Sequence, residues 1–579
     1  MGLTSSLYVG RSALSASQIA LQVTGNNIAN LATPGYSRQR VGLTALGDTQ
    51  IQNGVFVGRG VQTDQVQRVL DPAVQQRLRA AISDSGFASV AQGTLSQVES
   101  LLGELSGNDL SSQLGALFDA FSTLADTPTS VELRGAAVEQ GAAVSSFMQR
   151  MRSDLVNLRR QTDQQLADQV EAADGLIQEI ADLNLAIINA EGGQGSANGL
   201  RDARDQLISE LSVLMDVTVV PSPGNSGSVD VIVGSTPLVR GSTAESIEVR
   251  RREINGELRV DVVTTGTTPE VIDADGGTIG GLLAQREGTV QRVLDELDEL
   301  SARLIHEVNV LHSQGRAASG LTDTTGWLAV NPADQTLALN DPTNATFSGL
   351  PINARNGTFT VVITDQTGNQ TESVIEVDLD GIDNTGAAGF GDDTTMADIV
   401  AALDGVANLN AEITADGRLR VFTDAGFDVS FKDDSSEALA VFGINTFFQG
   451  TSAGDIAVRE ELEADPSLLV TGSGEGRNDT VLALAQLRDA PIGSIGGRTQ
   501  LEQWGETTGR IGVETSAAIT NFEALDTVRL NLEAQRAAVS GVSLDEESIN
   551  LITFQQQYQG AARFISVVDE LTQTLISIV

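Results

Sequence analysis

The sequence predicts an α+β protein of several domains, in which long helices at the two chain ends pair and β-rich domains are inserted between them. Three observations predict this: the length of 579 residues, the positions of the twelve prolines, and apolar residues at helical spacing near both termini. Proline is excluded from helix interiors. Long helices are therefore possible in the proline-free stretches 129–220, 270–331 and 492–579.

The first element is a helix at the N-terminus. Its apolar residues recur every seven positions and form one stripe, at Leu7, Leu14, Leu21 and Ile28. The turn Thr33–Tyr36 ends this helix, because Pro34 cannot continue it and Gly35 permits a positive φ.

The last element is a longer helix, from about residue 545 to the C-terminus, roughly 50 Å in length. Its apolar residues follow a spacing of three and four that only Thr572 breaks, at Leu551, Phe554, Tyr558, Ala561, Ile565, Val568, Leu575 and Val579. Each terminal stripe is too narrow to fold alone. We therefore expect the two helices to pack together, and with helices of other copies, as a coiled-coil-like bundle.

The middle of the chain alternates between helical and β-rich stretches. Helical spacing predicts helices over 142–190, 198–214, 282–312 and 500–540, and one that begins near Thr394. Short β-branched runs predict strands within 216–275 and 345–450. We predict four domains: a terminal helical domain of 1–65 with 540–579, a helical domain of 66–215 with 276–320 and 455–539, a β-rich domain of 216–275 with 321–344, and an inserted outer β-rich domain of 345–454.

Composition excludes several classes of function. The chain has no cysteine, which excludes disulfides, cysteine-based zinc sites and cysteine nucleophiles. Its single lysine, Lys432, follows Phe431, whereas a Walker A phosphate loop needs glycine before its lysine. The net charge of −42 opposes binding to a phosphate backbone, so we expect no nucleic-acid partner.

Targeting signals are also absent from the sequence. No apolar stretch of about 18 residues exists, so we expect no membrane insertion. Residues 1–20 lack the basic start, apolar core and cleavage site of a secretory signal. General signals alone therefore predict a cytoplasmic protein.

The acidic charge is unevenly distributed. Residues 1–70 have a net charge of +3 and residues 541–579 a net charge of −4, while the remaining 470 residues hold −41. Low charge suits surfaces that pack against other protein, and acidic side chains suit surfaces that face water. We therefore expect the two chain ends to be the assembling part.

Two groups of residues are candidates for site chemistry. His306 and His312 are six positions apart, which does not place two ligands on one helix face, and we expect neither a metal site nor a catalytic triad there. An acidic cluster of the oxygen ligands that Ca²⁺ prefers comprises Asp378, Asp380, Asp383, Asp392 and Asp393. Its spacing lacks the order of an EF-hand, so we favour a solvated loop and keep a Ca²⁺ site as the alternative.

The run from Asn26 to Arg40 resembles the N-terminal signature of bacterial flagellar rod, hook and hook-associated proteins. The residues that carry the resemblance are Asn26, Asn27, Ala29, Asn30, Thr33, Pro34, Gly35, Tyr36, Arg38 and Gln39. The C-terminal runs Ser540–Glu547 and Gln555–Ala562 resemble the motifs of the same family. Two interior stretches, 308–315 and Leu439–Phe448, resemble the hook-associated members of that family.

The resemblance implies a structural protein without catalysis or cofactor. Paired terminal helices would form the inner tube of the flagellum, as a ring of identical subunits at the junction of hook and filament. It implies as partners the hook protein, a second junction protein next to the filament, and an export chaperone at the C-terminal helix. It also implies flagellar type III export without a cleaved signal, which replaces the cytoplasmic prediction by an extracellular flagellar location. The alternatives are another axial subunit of hook or rod type, or a flagellar scaffold with a Ca²⁺-binding outer β domain.

Overall fold

The chain folds into long helices and small antiparallel sheets. The computed structural model describes residues 3–52, 54–103, 107, 109–192, 195–224, 227–254, 257–318, 320–383, 385–474, 476–492 and 496–578. Two compact units divide the chain. The first comprises Met1–Thr94, Gln161–Glu287 and Ser516–Val579, and the second comprises Leu95–Arg160 and Gly288–Thr515. Each unit therefore collects segments that are distant in the sequence.

The helices vary from a single turn to the 61 residues of the longest. In chain order they are α1 (Leu3–Ala29), α2 (Pro72–Leu102), α3 (Leu110–Asp126), α4 (Val131–Glu191), α5 (Asn198–Leu214), α6 (Gly277–Ala284), α7 (Gln291–Ser313), α8 (Ala345–Ser348), α9 (Met396–Asp404), α10 (Ala438–Phe442), α11 (Glu460–Ala464), α12 (Asp479–Gln486), α13 (Gln500–Ser540) and α14 (Leu544–Ile578). A π-helical segment, Gln285–Val290, joins α6 to α7.

The strands are short. Most of them pair with the next strand along the chain, and the others pair with a strand that lies beyond intervening elements. In chain order they are β1 (Gln39–Ala45), β2 (Thr49–Gln52), β3 (Val55–Val57), β4 (Val61–Arg68), β5 (Val217–Pro221), β6 (Val229–Val233), β7 (Thr236–Arg240), β8 (Thr243–Ala244), β9 (Ile247–Ile254), β10 (Glu257–Thr264), β11 (Asp323–Ala329), β12 (Gly357–Asp365), β13 (Gln370–Val377), β14 (Leu409–Ile413), β15 (Arg418–Thr423), β16 (Phe427–Lys432), β17 (Phe448–Gln449) and β18 (Ala457–Val458).

The first unit contains a four-stranded sheet of order β5-β6-β7-β8 and the pairs β1–β4, β2–β3 and β9–β10. All are antiparallel, with Val219 opposite Val231 in the larger sheet. The inner face of that sheet is apolar. Val231 and Leu238 share one buried core with Ile180 of α4 and Leu211 of α5, so helices cover this side of the sheet.

The second unit contains two three-stranded sheets, β13-β12-β16 and β11-β15-β14, and the small pair β17–β18. Its core joins Val361 and Phe431 of the first sheet to Val421 of the second and Ile399 of α9. Thr395 caps α9 with a reciprocal capping box to Asp398, which explains why this helix begins near Thr394 as the sequence predicts.

The predicted α+β class with paired terminal helices is confirmed by the order of elements. The predicted ranges 198–214 and 500–540 coincide with α5 and α13, and strands β5 to β10 lie within the predicted stretch 216–275. No bounds are predicted for β1–β4, α2 or α3, although α2 and α3 lie within the predicted helical domain 66–215. β1–β4 and α2 carry weak periodicity, so tertiary contacts rather than local preference determine them. α3, in contrast, carries a regular apolar repeat that was missed, at Leu110, Leu114, Leu117, Phe121 and Leu124.

Two predicted helix boundaries are wrong, for different reasons. α4 begins at Val131 rather than at 142, because Ser130 accepts a hydrogen bond from the Leu133 N–H (3.3 Å) and starts the helix directly after Pro128. The helix predicted to begin at Leu282 begins at Gly277 instead. A Cβ atom at Gly281 would lie 2.9 Å from Cβ of Val90, so close packing requires glycine there despite its low helix propensity.

Candidate assembly site at the chain termini

Helices α1 and α14 pack against each other through small side chains. The buried residues of α1 fall on one face of the helix and are Gly10, Ala16, Ser17, Ala20, Thr24 and Asn27. A Cβ atom at Gly10 would lie 2.7 Å from Cγ1 of Ile565 and 3.1 Å from Cδ1 of Phe564. The two helices therefore approach too closely at this position for any larger residue.

The predicted N-terminal stripe lies beside this contact face. Each of its four residues is half-buried: Leu7, Leu14, Leu21 and Ile28. The predicted stripe consists of large residues at heptad spacing, whereas the most deeply buried residues of α1 are the small ones beside that stripe. Small residues at a spacing of three and four are the signal that could have identified the contact face, since they allow helices to approach closely.

The predicted C-terminal stripe is covered in its middle and open towards its end. Ala561 and Val568 are buried, and Leu551, Phe554 and Ile565 are half-buried. The two remaining described members are exposed, Tyr558 at 37% and, near the end of the helix, Leu575 at 58%. Val579 lies outside the described residues.

A second apolar face of α14, which sequence analysis missed, is exposed. It comprises Ile549 (65% exposed), Ile552 (56%), Phe564 (44%), Val567 (53%) and Leu571 (55%). We call these five residues the open face of α14. Gln556 and Gly560 interrupt its periodicity, which is why the stripe escapes a search for an unbroken apolar repeat.

An apolar groove follows the pair of terminal helices. Its volume is about 450 Å³, and its lining includes Gly10 and Ala13 of α1, Leu43 of β1, and Phe554 and Ala561 of α14. Apolar surface of this kind on a folded protein marks a contact with another molecule.

The turn after α1 folds back onto the start of α14 through a buried hydrogen-bond network. Nδ2 of Asn27 donates to the Gln39 carbonyl (3.0 Å) and to Oε2 of Glu547 (3.1 Å). Oδ1 of Asn27 accepts from the Tyr36 hydroxyl (2.8 Å) and from the Gln39 N–H (3.0 Å). Arg38 donates to Oε1 of Glu547 (2.8 Å) and to Oε2 of Glu546 (2.7 Å). The contacts with Glu546 and Glu547 join residues that are more than 500 positions apart in the sequence.

Burial and charge together determine the protonation of Tyr36. Burial, followed by the nearby carboxylates of Asp202 and Glu547, raises the pKa of its hydroxyl to about 12. The hydroxyl is therefore protonated at neutral pH and acts as the donor to Asn27.

A second layer of ion pairs ties the same turn to α5. Asp202 accepts from the Ser37 N–H (3.2 Å) and from Arg68 (2.9 Å), and Arg68 also pairs with Asp205 (2.8 Å). Burial opposes the charge of Arg68, but the two carboxylates outweigh it and its pKa is raised above the usual value. Asp202 is a site residue that the sequence did not indicate. Arg68 and Glu547 lie in runs that resemble the family, but their partners were not predicted because they are remote in the chain.

The other signature residues shape the turn or face solvent. Asn26, Ala29, Thr33 and Pro34 are exposed, and Asn30 accepts a hydrogen bond from the Thr33 hydroxyl (3.2 Å). Gly35 has φ of +78°, and a Cβ atom there would lie 2.6 Å from Oε1 of Gln206, so this position requires glycine.

The histidines and the acidic cluster lie elsewhere, in the second unit. Nδ1 of His312 is 2.8 Å from the Asn445 carbonyl, and its Nε2 accepts from the Val470 N–H (3.1 Å). Both ring nitrogens therefore bind backbone groups. Nε2 of His306 lies 3.1 Å from Oε2 of Glu437. Of the five clustered aspartates, the structure brings together Asp378, Asp380 and Asp393.

No helix in the described part of the chain is both long and apolar enough to cross a bilayer.

Three protein families match successive parts of the chain. A family described as the flagella basal body rod protein matches residues 7–36, and the C-terminal family of flagellar basal body rod FlgEFG proteins matches residues 534–578. The helical-domain family of the flagellar hook-associated protein FlgK matches residues 95–326. The two terminal matches coincide with α1 and its turn and with α14.

Curated relatives match the chain over nearly its full length. Flagellar hook-associated protein 1 of Salmonella typhimurium is 26% identical over 602 residues, covering 98% of both chains. The protein of the same name from Escherichia coli is 26% identical over 605 residues with 98% coverage of both, and that from Bacillus subtilis is 24% identical over 607 residues, covering 99% of this chain and 97% of its own.

A solved structure shares the fold. The flagellar hook junction protein FlgK from Burkholderia pseudomallei superposes with a TM-score of 0.51 at 16% identity, over 80% of this chain and 100% of that one.

Terminal helices that pair, the signature turn between them, and family matches at both ends define a flagellar axial protein. Within that class, the chain belongs to the family of flagellar hook-associated protein 1. It is thus a structural component of the flagellum that assembles with other flagellar proteins.

Proposed function

We propose that this protein forms the junction between hook and filament, as a ring of identical subunits required for filament assembly. The observation that carries the proposal is the open face of α14, whose five apolar side chains are uncovered in the single chain. Full burial of an exposed side chain of this kind is favourable by about 1.5 to 3 kcal/mol. These five are 44–65% exposed, so further burial of each would gain part of that free energy. Neighbouring subunits of the ring would supply that cover, while α1 covers the side of α14 that carries Ile565 and reaches Phe564 at the edge of the open face.

The same face supports the proposed route and partners. We propose export through the flagellar type III apparatus to an extracellular position, with a chaperone on α14 until assembly. An apolar helix face that is exposed before assembly needs such protection, because it would otherwise associate prematurely. The hook protein on one side and a second junction protein on the filament side complete the proposed partners.

The signature residues have a distinct proposed role. Asn27, Tyr36 and Arg38 hold α1 against α14, through Glu546 and Glu547. The four-domain division predicted from the sequence, with the terminal domain 1–65 and 540–579 as the polymerising part, is retained as part of this proposal.

One matched pair of variants tests the role of the open face. Val567→Asp places a carboxylate on that face, and Ser566→Asp adds the same charge one residue away at an exposed polar position. Expressed in the source bacterium from which the native gene is deleted, Val567→Asp is expected to abolish swimming in soft agar and the filaments seen by electron microscopy. Ser566→Asp is expected to retain both. Equal swimming of the two strains would refute the proposed contact.

The deletion strain itself tests the position in the flagellum. We expect hooks without filaments, with filament subunits released into the medium and detected by immunoblot. A strain that lacks hooks as well would instead indicate a rod or hook subunit.

A further inference from the structure

Three segments of the second unit meet at the end of β13. The Thr394 hydroxyl accepts from the Asp378 N–H (2.8 Å), and the Thr394 N–H donates to the Asp378 carbonyl (2.7 Å). The Leu339 N–H donates to the Thr394 carbonyl (3.0 Å). Residues 338–340, 378–381 and 392–395 are therefore held together by the backbone.

Carboxylates converge at this meeting point. One oxygen each of Asp378, Asp380 and Asp393 lie within 4.8 Å of one another. The cations of the neighbouring sheets pair elsewhere: Arg420 with Asp323 and Glu412, and Lys432 with Glu372. In the described part of the chain, no arginine or lysine pairs with the three carboxylates, so their mutual repulsion is not offset by a protein cation.

A second observation points to a ligand. Asp393 is only 2% exposed, and its Oδ2 accepts from Nδ2 of Asn340 (2.6 Å) and from the Gly381 N–H (3.2 Å). Its Oδ1 is buried and has no hydrogen-bond partner, and the same holds for Oδ1 of Asn340. Buried oxygens are nearly always bonded, because an unpaired one loses its hydration without compensation. Two buried acceptor oxygens, one on a carboxylate of the cluster and one on the amide bonded to it, therefore lack a donor.

We propose that this cluster binds one Ca²⁺ ion. Asp378, Asp380 and Asp393 would supply carboxylate oxygens, the amide oxygen of Asn340 a further one, and water the remaining positions. Ca²⁺ accepts six to eight oxygen ligands in variable geometry, whereas Mg²⁺ requires a strict octahedron. Asp380 is exposed, which gives the ion and its water access from solvent. The site would tie β13 to the start of α9, and it does not rest on the proposed junction role.

Calorimetric titration of the full chain with CaCl2 tests the site directly. We expect one ion per chain with a dissociation constant of about 0.1 to 1 mM, the range of extracellular modules. Saturating Ca²⁺ should also raise the thermal midpoint of the second unit. Tryptophan fluorescence follows that unit alone, because both tryptophans, Trp327 and Trp504, belong to it.

Three aspartate-to-asparagine variants, each of which removes one negative charge, locate the site. Asp378→Asn and Asp380→Asn should each weaken Ca²⁺ binding about tenfold or more. Asp383→Asn is the control, because Asp383 lies in the same loop but outside the group of three carboxylates. Its carboxylate accepts from Thr385 and Ala387. The control should bind as the parent chain does, and circular dichroism should show all three variants folded.

Three results would overturn the proposal. The first is the absence of both saturable heat and a thermal shift with about 10 mM CaCl2. The second is undiminished Ca²⁺ binding by the folded Asp378→Asn and Asp380→Asn variants. The third is a response to MgCl2 equal to the response to CaCl2.

Discussion

Asn27 uses its full hydrogen-bonding capacity at the end of α1. Its amide donates twice and its carbonyl accepts twice, and the side chain is 1% exposed. One of its acceptors, Glu547, is a buried carboxylate that otherwise relies on Arg38. Truncation of Asn27 therefore leaves buried polar groups unpaired on three segments at once.

We predict that Asn27→Ala destabilises the first unit by about 2 kcal/mol, because unpaired buried groups lose hydration without compensation. Urea unfolding followed by circular dichroism measures the change. Asn26→Ala is the matched control, since Asn26 is the preceding residue and is exposed. It should change stability by no more than about 0.5 kcal/mol. Comparable losses in the two variants would contradict the assigned role of Asn27.

His312 is a neutral buried base with a defined tautomer. Because Nε2 accepts from the Val470 N–H, the ring proton lies on Nδ1 and is donated to the Asn445 carbonyl. Burial, together with the charges of Arg134 and Arg459, lowers the pKa of His312 from 6.5 to about 4, against the raising effect of the Asn445 hydrogen bond.

This lowered pKa predicts acid sensitivity of the second unit. Between pH 6.5 and 4 the unfolded chain binds a proton at His312 that the folded chain does not. Stability from this group is therefore complete above pH 6.5 and decreases by about 3 kcal/mol as the pH falls to 4. In the His306→Gln variant, His312 is the only histidine of the untagged chain. Its NMR signal should stay at the neutral position down to about pH 5, and titration near pH 6.5 in the folded protein would contradict the prediction.

The residues that belong to the assembly site could be predicted from the sequence, but the residues that they contact could not. The signature residues Asn27, Tyr36 and Arg38 stand out in the sequence because an unusual turn follows a regular helix. Nothing local indicates that Glu547 or Asp202 completes their hydrogen bonds, because those contacts exist only once remote segments pack. The acidic cluster shows the same limit: Asp383 resembles its neighbours in the sequence, yet it lies outside the group formed by Asp378, Asp380 and Asp393 in the structure.

At the scale of elements, the contact between α1 and α14 depends on the size of one residue. We predict opposite effects for the same substitution at two glycines of α1. Gly10→Ala should destabilise the first unit by about 1 to 2 kcal/mol, because the new methyl meets the stiff, β-branched Ile565. Gly25→Ala meets no atom within 4 Å and should stabilise by up to about 1 kcal/mol through helix propensity.

Thermal unfolding followed by circular dichroism ranks the two glycine variants against the parent chain. If Gly10→Ala is as stable as Gly25→Ala, then α1 and α14 do not approach as closely as the structure has them.

Elements with a strong repeat were predictable, and elements that depend on close packing were not. α5 and α13 match their predicted ranges, α5 because a regular apolar repeat runs along it and α13 because no proline interrupts the chain after Pro491. α6 contradicts its own composition, since Gly277, Gly280 and Gly281 disfavour a helix locally. Its neighbours leave no room for side chains at Gly281, so tertiary packing overrides propensity there.

At the scale of the whole molecule, the charge distribution agrees with the pairing of the ends. The N-terminal 70 residues carry +3 and the C-terminal 39 residues carry −4. Arg38 joins the two signs directly through Glu546 and Glu547. The ends thus neutralise each other, whereas the acidic remainder would repel its copies in a ring. In the proposed ring, apolar contact between the ends must outweigh that repulsion. Added salt should weaken the repulsion, because charges are screened over about 10 Å at 0.1 M.

Deletion of residues 545–579 should therefore separate folding from assembly. The second unit takes no residue from this segment, so its unfolding in urea, followed by tryptophan fluorescence, should be unchanged. The first unit loses α14, and with it the cover of the small face of α1 and the partners of Arg38 and Asn27. The truncated chain should remain folded in its second unit but fail to join the flagellum, leaving cells without filaments. Normal filaments on such cells would show that assembly does not require the paired ends, whereas a shifted tryptophan transition would show that the second unit depends on α14.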